Sequence, residues 1–593
     1  MGVIYEEFQT DFTGGVSGDP RSKSLGVVQI ATNFDIFRDE KRAIPYNDSE
    51  SGDASSATSK KQAFDIGLWT PTPSWRLFAL GVVSGTARAE ILMKILTTGG
   101  ATDLDDSSWA TPANNSSAAG TTSFDCFFYY KTLAKFIGAR AGTNLWTFTP
   151  DGATGWNDTF QAITYTNIAQ GIVHSKDDIA YIPYDNFIAS YNATGAVFNA
   201  TALTLPADYY ISAISEFGDF IAIACAPNSG VGKSRLFIWN RDSSLSTLSD
   251  SVDAGEGVIK FIEELEGQIV AGVMIGGNGT RLRDRVVFRK YAGAGMKRFK
   301  EITSSATGQN LTLLSRRQKA DNRVYFLMSI SIDGVVREGL WSIGMSSSGE
   351  FAISHERTQN NDTALGNGSL RGFFVVADYV FISYIDNAGS YQLSKTNDQA
   401  SFTALSIIET VIKNTPNSDV IKKLVGASVM FEPLPAAGQI ALYYKKNAET
   451  DWTRIFVYNT DNEISHGAVN VENDSTAFTV TIASPAVFTQ TAHGLIAGQK
   501  IRFATTGALP TGLTVGTEYY VISTGLTSST FRVSLTSGGS AVNTSGSQSG
   551  VHTINRTVNL TEGKEFKFRV ESTGGAVPTG IRYKIETVDK QLY

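Results

Sequence analysis

Five histidines, His174, His355, His466, His493 and His552, and two cysteines, Cys126 and Cys225, are the side chains of this 593-residue chain best suited to hold a transition metal. Zinc sites read from sequence draw ligands in pairs a few residues apart. No two of these seven residues stand that close, so local spacing assembles no zinc motif, and His493 reads as a turn residue. The run Gly230-Val-Gly-Lys-Ser234 is the nearest approach to a phosphate-cradling loop. That loop needs a further glycine five residues before its Gly-Lys, where Pro227 stands, and a helix after it, where 236–239 reads as a strand. It is expected to be a hairpin turn. Asp177, Asp178, Asp185, Asp219, Glu263, Glu264 and Glu266 supply carboxylates of the kind that glycoside hydrolysis uses in pairs. Each sits where a turn favours Asp or where an exposed strand edge favours charge, so all are read as structural. No catalytic, cofactor-binding or metal-ligating residue is assigned, and no cofactor is expected. Arg281, Arg283 and Arg285 alternate as on one strand face, followed by Arg289, Lys290, Lys297, Arg298 and Lys300, with Asp284 the acid among them. This positive patch is read as a subunit contact against an acidic partner face, with a solvated loop or a DNA-facing surface as alternatives.

The elements that carry these residues repeat. Residues 217–239 show the unit: a polar turn at Gly218 and Asp219, an apolar run from Phe220 to Ile223, a Pro/Asn/Ser/Gly loop, and a return strand with Phe237 and Trp239. That is a β-hairpin. Taking Asp178, Asp219, Gly267, Asn322 and Asp378 as equivalent turn points, the steps are 41, 48, 55 and 56 residues, the length of a four-stranded propeller blade. Two earlier candidates, around 135–138 with Trp146 on the return strand and around 75–83, bring the array to about seven units.

Composition sets the class. With 42% hydrophobic and 18% charged residues and 56 Gly against 15 Pro, the chain suits an all-β protein with many tight turns. Two cysteines exclude a disulfide framework and read as buried thiols. No run of 18 apolar residues occurs, and the acidic start with Glu6 and Glu7 is unlike a signal peptide, so cytoplasmic folding without membrane insertion is expected. A net charge of −7 argues against general nucleic-acid affinity. In chain order, residues 1–70 read as an N-terminal arm and extended segment, 47–61 being too polar to pack. Residues 71–400 read as the β-propeller, with linkers such as 103–122 between units. Residues 401–474 and 555–593 read as a β-sandwich, and 475–554, which has little charge and dense Gly, Thr and Ser, as a small β-domain inserted into it.

Within that insert, Thr491-Ala-His-Gly-Leu-Ile-Ala-Gly-Gln-Lys-Ile-Arg-Phe503, Thr506-Gly-Ala-Leu-Pro-Thr-Gly-Leu-Thr514 and Thr517-Glu-Tyr-Tyr-Val521 resemble a small β-module found in many phage virion proteins. That module pairs an "AHGL" turn and a "GALPTGL" loop with a "YYV" strand and a later Phe-containing strand, matched by Phe531. The closing stretches Phe566-Lys-Phe-Arg-Val-Glu-Ser-Thr-Gly-Gly575 and Gly580-Ile-Arg-Tyr-Lys-Ile585 look like the C-terminal strands of phage tail-associated proteins. Some short-tailed phage nozzle proteins are similar in joining a propeller to appended β-domains, although no motif in 71–400 carries that likeness.

The resemblance implies a virion protein of a bacteriophage tail, assembled in the host cytoplasm. Its expected role is non-enzymatic: a nozzle or hub, part of the assembly through which DNA is ejected. Its expected partners are other tail proteins and copies of itself in a ring, with genomic DNA passing without specific binding. The alternative is a receptor- or glycan-binding tail adhesin that touches a host surface receptor. A polysaccharide depolymerase is a third class. An axial channel works best with a neutral or acidic wall, since phosphate contacts would stall DNA. The Arg281 to Lys300 patch is therefore expected to face away from that axis.

Overall fold

Asp178, Asp219, Gly267 and Asn322, the recurrent turn residues, each fall between the first and second strands of a four-stranded antiparallel sheet. Glu266 and Gly267 (φ +51° and +69°) and Asp321 and Asn322 (φ +48° and +59°) place both central turn residues in the left-handed region. That is the turn whose twist matches the strands it joins. The computed structural model describes residues 4–16, 28–38, 42–45, 49–51, 59–69, 74–83, 88–96, 126–458 and 471–587, with short gaps in the last two ranges. Arg281, Asp378, His466 and the linker 103–122 lie outside them. Among the described residues there is no helix, and so none long and apolar enough to cross a membrane.

The chain divides into two units, residues 47–345 with 351–400, and residues 1–46, 346–350 and 401–593. The first is a β-propeller of seven blades. Their first strands are, in order, Ser59–Trp69, Phe127–Tyr130, Ile172–His174, Tyr209–Phe217, Val258–Leu265, Thr312–Ala320 and Gly368–Val376. Each of these strands but one packs directly against the first strand of the next blade, and the seventh packs against the first blade, which closes the ring. Blades 2 and 3 are joined instead by one apolar core, which includes Ile137, Ala139, Ile182 and Tyr184. First strands are thus innermost.

Two expectations about the N-terminal arm fail. Ser49–Ser51 is the fourth strand of blade 7, paired with Tyr391–Thr396, and blade 1 begins at Ser59–Trp69, ahead of residue 71. Polar side chains gave no sign of this because an edge strand is held by backbone hydrogen bonds, which every non-proline residue supplies. Blades 2 to 7 have four strands each and blade 1 has three among the described residues.

Apolar faces of neighbouring blades interleave. Trp146, Trp239 and Trp341 lie fully buried on the third strands of blades 2, 4 and 6. Trp146 and Trp341 donate their indole N–H to the carbonyls of Ala139 (2.9 Å) and Met328 (3.1 Å), the partner a buried indole needs. Gly138 lies opposite Trp146, where a Cβ would stand 2.1 Å from the ring, so only glycine fits.

The second unit is a β-sandwich carrying a barrel. One sheet runs Ile4–Gln9, Pro578–Thr587, Lys422–Phe431, Glu562–Gly563, and the other Val28–Thr32, Ser406–Thr410, Phe566–Thr573, Gln439–Lys446, Thr453–Tyr458. Val429 and Ile581 from the first and Leu442 and Val570 from the second fill the shared core. Residues 4–9 and 28–32 are therefore sandwich strands and not an arm. The inserted domain is a closed six-stranded barrel from Val471–Val480 to His552–Thr557, reaching a few residues beyond 475–554 on both sides.

Candidate functional site

The carboxylates singled out in the sequence do gather. All but Asp185 lie at the turn end of the innermost strands, where Asp177, Asp219, Glu263, Glu264 and Glu266 tie one blade to the next; Asp185 lies at the opposite end, between the second and third strands of blade 3. Asp177 of blade 3 accepts from the Arg241 guanidinium of blade 4 and from Tyr181 Oη (3.0 Å), and Lys176 Nζ meets Asp219 at 2.7 Å. Glu263 of blade 5 accepts from Ser215 Oγ of blade 4 (3.2 Å) and Arg317 Nε of blade 6 (2.9 Å), and Arg317 also donates to the Ile214 carbonyl. Glu264 is paired with Lys319, and Glu266 with the Asn322 amide. Gln318 continues the series by donating to the Val375 carbonyl (2.5 Å) and accepting from its N–H (2.8 Å) in blade 7. Asp178 and Asp185 hold turns at φ +53° and +40°, and the Asp185 carboxylate accepts the Asn167 N–H at 2.8 Å.

Glycoside hydrolysis needs one carboxyl held protonated beside an ionised one. Asp219 goes the other way: its hydrogen bond to Lys176, together with that cation's charge, holds it below the usual carboxylate range. Asp177, Asp219, Glu263, Glu264 and Glu266 act as links between blades. The sequence reading missed their partners Arg241, Arg317 and Lys319. A signal for one was present, since aligning the first strands of blades 5 and 6 on their turns sets Lys319 beside Glu264.

The other candidates stay apart. His174 and His355 are buried in blades 3 and 6, and His355 stacks on Trp341 with centroids 4.7 Å apart. Burial, helped by the Arg337 charge, pushes His355 down to about 3, so it stays neutral. His493 is a fastener in the barrel: Nδ1 accepts the Leu495 N–H (3.0 Å) and Nε2 lies 3.2 Å from the Thr530 carbonyl. His552 meets Thr505 Oγ1 at 2.8 Å. Among the described residues no three His, Cys, Asp or Glu come together as a metal site. Cys126 and Cys225 are buried and not joined in a disulfide, and burial pushes the Cys225 thiol up. Gly230 and Gly232, at φ +69° and +126°, lie between the paired strands Phe220–Pro227 and Lys233–Trp239, with Val231 outside the described residues, and Lys233 pairs with Asp253 at 2.9 Å.

The basic run occupies the two outer strands of blade 5, Arg285–Tyr291 and Met296–Thr303. Arg285 begins its strand and Arg283 precedes it, so these two do not share a strand face as expected; a loop end replaces part of the strand. Arg289 lies opposite Arg298, and Lys290 opposite Lys297. Like charges directly opposite destabilise a ladder. Glu301 offsets part of this, 2.6 Å from Arg298 and 3.9 Å from Arg285, and Lys290 lies 5.4 Å over the Phe351 ring. Met296–Thr303 is an edge strand, and exposed Lys297 and Arg298 are the residues that keep such an edge from pairing with another chain.

No family model matches the chain, and no curated protein matches it. Among solved structures, the N-terminal domain of Nup159 is similar over 62% of this chain and 98% of its own, at 9% identity and a TM-score of 0.34. The AfRom2 CNH domain is similar over 59% of this chain and 99% of its own, at 9% identity and a TM-score of 0.35.

Proposed function

We propose that this chain is a structural component of a bacteriophage tail, a nozzle or hub subunit that works by assembly and not by catalysis. The observation that carries the reading is the barrel of 471–557, whose sequence resembles the virion β-module and whose motif residues fill positions that hold a fold. His493 fastens the "AHGL" turn. In the "GALPTGL" loop, Ala508 and Thr511 bridge to Ser549 and Ser545, and a Cβ on Gly507 would stand 2.4 Å from the Ser549 carbonyl oxygen. Tyr519 of the "YYV" strand is buried and accepts the Thr514 N–H at 2.9 Å, while Phe531 stacks on Phe488 at 5.0 Å. Such a module adds a rigid body to a sandwich without a reactive centre, and the paired acids of the propeller likewise serve cohesion. Labelling the chain in intact particles and locating it by electron microscopy tests the proposal. Density on the tail axis supports a nozzle or hub, peripheral fibres or spikes point to the adhesin reading, and absence from the particle overturns both.

A further inference from the structure

The other end of the same innermost strands is built differently. In five blades the pairing of first and second strand is interrupted once: at Gln62 in blade 1, Ser212 in blade 4, Lys260 in blade 5, residues 314–316 in blade 6 and Arg371 in blade 7. Ser212, Lys260 and Arg371 each stand five residues before the last paired residue of their strand, Phe217, Leu265 and Val376. A bulge leaves its extra residue without a ladder partner and re-aims the side chain. On an innermost strand the free edge faces the propeller axis.

Arg316 shows how far such a residue reaches. Its guanidinium lies 3.4 Å from both the Phe127 carbonyl and Gln170 Oε1, where the first strands of blades 2 and 3 begin, on the far side of the ring from blade 6. Gln170 is itself bonded to the Phe127 backbone through both ends of its amide. Ser212, Lys260 and Arg371 thus share one level on blades 4, 5 and 7, with Ser212 Oγ turned back to the Ala224 carbonyl, and Arg316 of blade 6 stands one residue nearer the turn, so that cations occur on three consecutive blades.

At the turn end every cation named above meets an acid or a carbonyl. Here Lys260 and Arg371 have no hydrogen-bond or ion-pair partner among the described residues. Burial lowers the Lys260 ammonium, with no carboxylate close enough to oppose the shift. Lys260 and Arg371, without partners among the described residues, flank Arg316 on the ring, and an anion held between them offsets the repulsion among the three cations. Guanidinium and ammonium groups converging on one axis suit a tetrahedral oxyanion, which accepts from several donors at once.

We propose that this end of the propeller axis binds a small multivalent oxyanion, a phosphate or sulfate group, through Lys260, Arg316 and Arg371. The axis is that of the single propeller. The test uses the full chain titrated with inorganic pyrophosphate in a calorimeter, against sodium chloride of equal ionic strength. Saturable binding is expected for pyrophosphate alone. Lys260→Met and Arg371→Gln should each weaken it by roughly tenfold or more, the loss of one charge-assisted hydrogen bond. Lys297→Gln, which removes a cation from the outer strand of the same blade, should leave it unchanged. Both substituted axis residues lack partners, so circular dichroism should show folded variants. No saturable heat, or equal binding by Lys260→Met and Arg371→Gln, overturns the proposal, as does an equal loss in Lys297→Gln.

Discussion

Arg317 is the side chain of the polar belt that ties three blades together. It touches Glu263 of blade 5 and the Ile214 carbonyl of blade 4 from blade 6, and its side chain is 4% exposed against 21% for Glu263. Removing the cation from such a pair leaves a half-buried carboxylate without its charge partner. Arg317→Met is expected to destabilise the propeller by about 3 kcal/mol, the low end for a broken buried pair. Adding Glu263→Gln should recover part of the loss, because the orphaned charge is then gone. Thermal melts of the native protein and the two variants check this, and a double variant no more stable than Arg317→Met would sink it. The turn at Asn322 was legible in sequence, whereas Arg317 was not: it sits in Leu313-Leu-Ser-Arg-Arg-Gln-Lys-Ala320, which reads as an ordinary amphipathic strand. Its partners come from blades 54 and 103 residues upstream.

Among the elements, the strand Phe566–Thr573 holds the sandwich together by more than its apolar face. Lys567 Nζ and Arg569 Nη2 lie 2.7 and 2.5 Å from the Glu409 carboxylate of the neighbouring strand, and Arg569 and Lys445 stack on Trp452 at 4.5 and 4.8 Å. Burial alone pushes the Glu409 carboxyl up, but the two cations reverse this and hold it below its ordinary value. Because the folded value lies below the unfolded one, the stability it contributes is present above about pH 4.5 and is lost as pH falls through the depressed value. Acid melts of the native protein should show that loss, and Glu409→Gln should flatten it while lowering stability at neutral pH. The barrel gives a second expectation. Its first and last strands pair, with Val471 opposite Thr557, so the cut ends stand side by side. Replacing 471–557 by a short Gly/Ser linker should leave the sandwich folded, as insertions at adjacent surface ends allow. Unfolding by circular dichroism would refute this. That this insert has a sheet of its own was legible from its turn-rich sequence, but its Arg454 contact to the His493 carbonyl was not, since a lone arginine in a strand carries no sign of its acceptor.

For the whole molecule, periodicity gave the propeller and failed at its seam. Hairpin turns recur because each blade solves the same local problem with Asp, Asn and Gly, and local problems are written in local sequence. Closure is not local: Glu50 pairs with Lys395, and Tyr5 pairs with Ile585 in the sandwich, across most of the chain. Ser49–Ser51 carries no alternation to mark it as a strand, and Ser59–Trp69 begins inside a stretch that composition assigns to a loop. The two boundary choices make opposite predictions. A fragment of residues 71–400 deprives blade 1 of its innermost strand and blade 7 of its fourth, so the ring opens where those blades meet and the free edge of Tyr391–Thr396 is exposed to pairing with other chains. A fragment of residues 47–400 keeps both strands and every packing step around the ring. The longer fragment is expected to be monomeric in gel filtration, with β-sheet circular dichroism and a cooperative melt, and the shorter to aggregate or melt without cooperativity. Equal behaviour of the two would mean that the ring does not depend on its N-terminal strands, and the closure described for this propeller would be wrong.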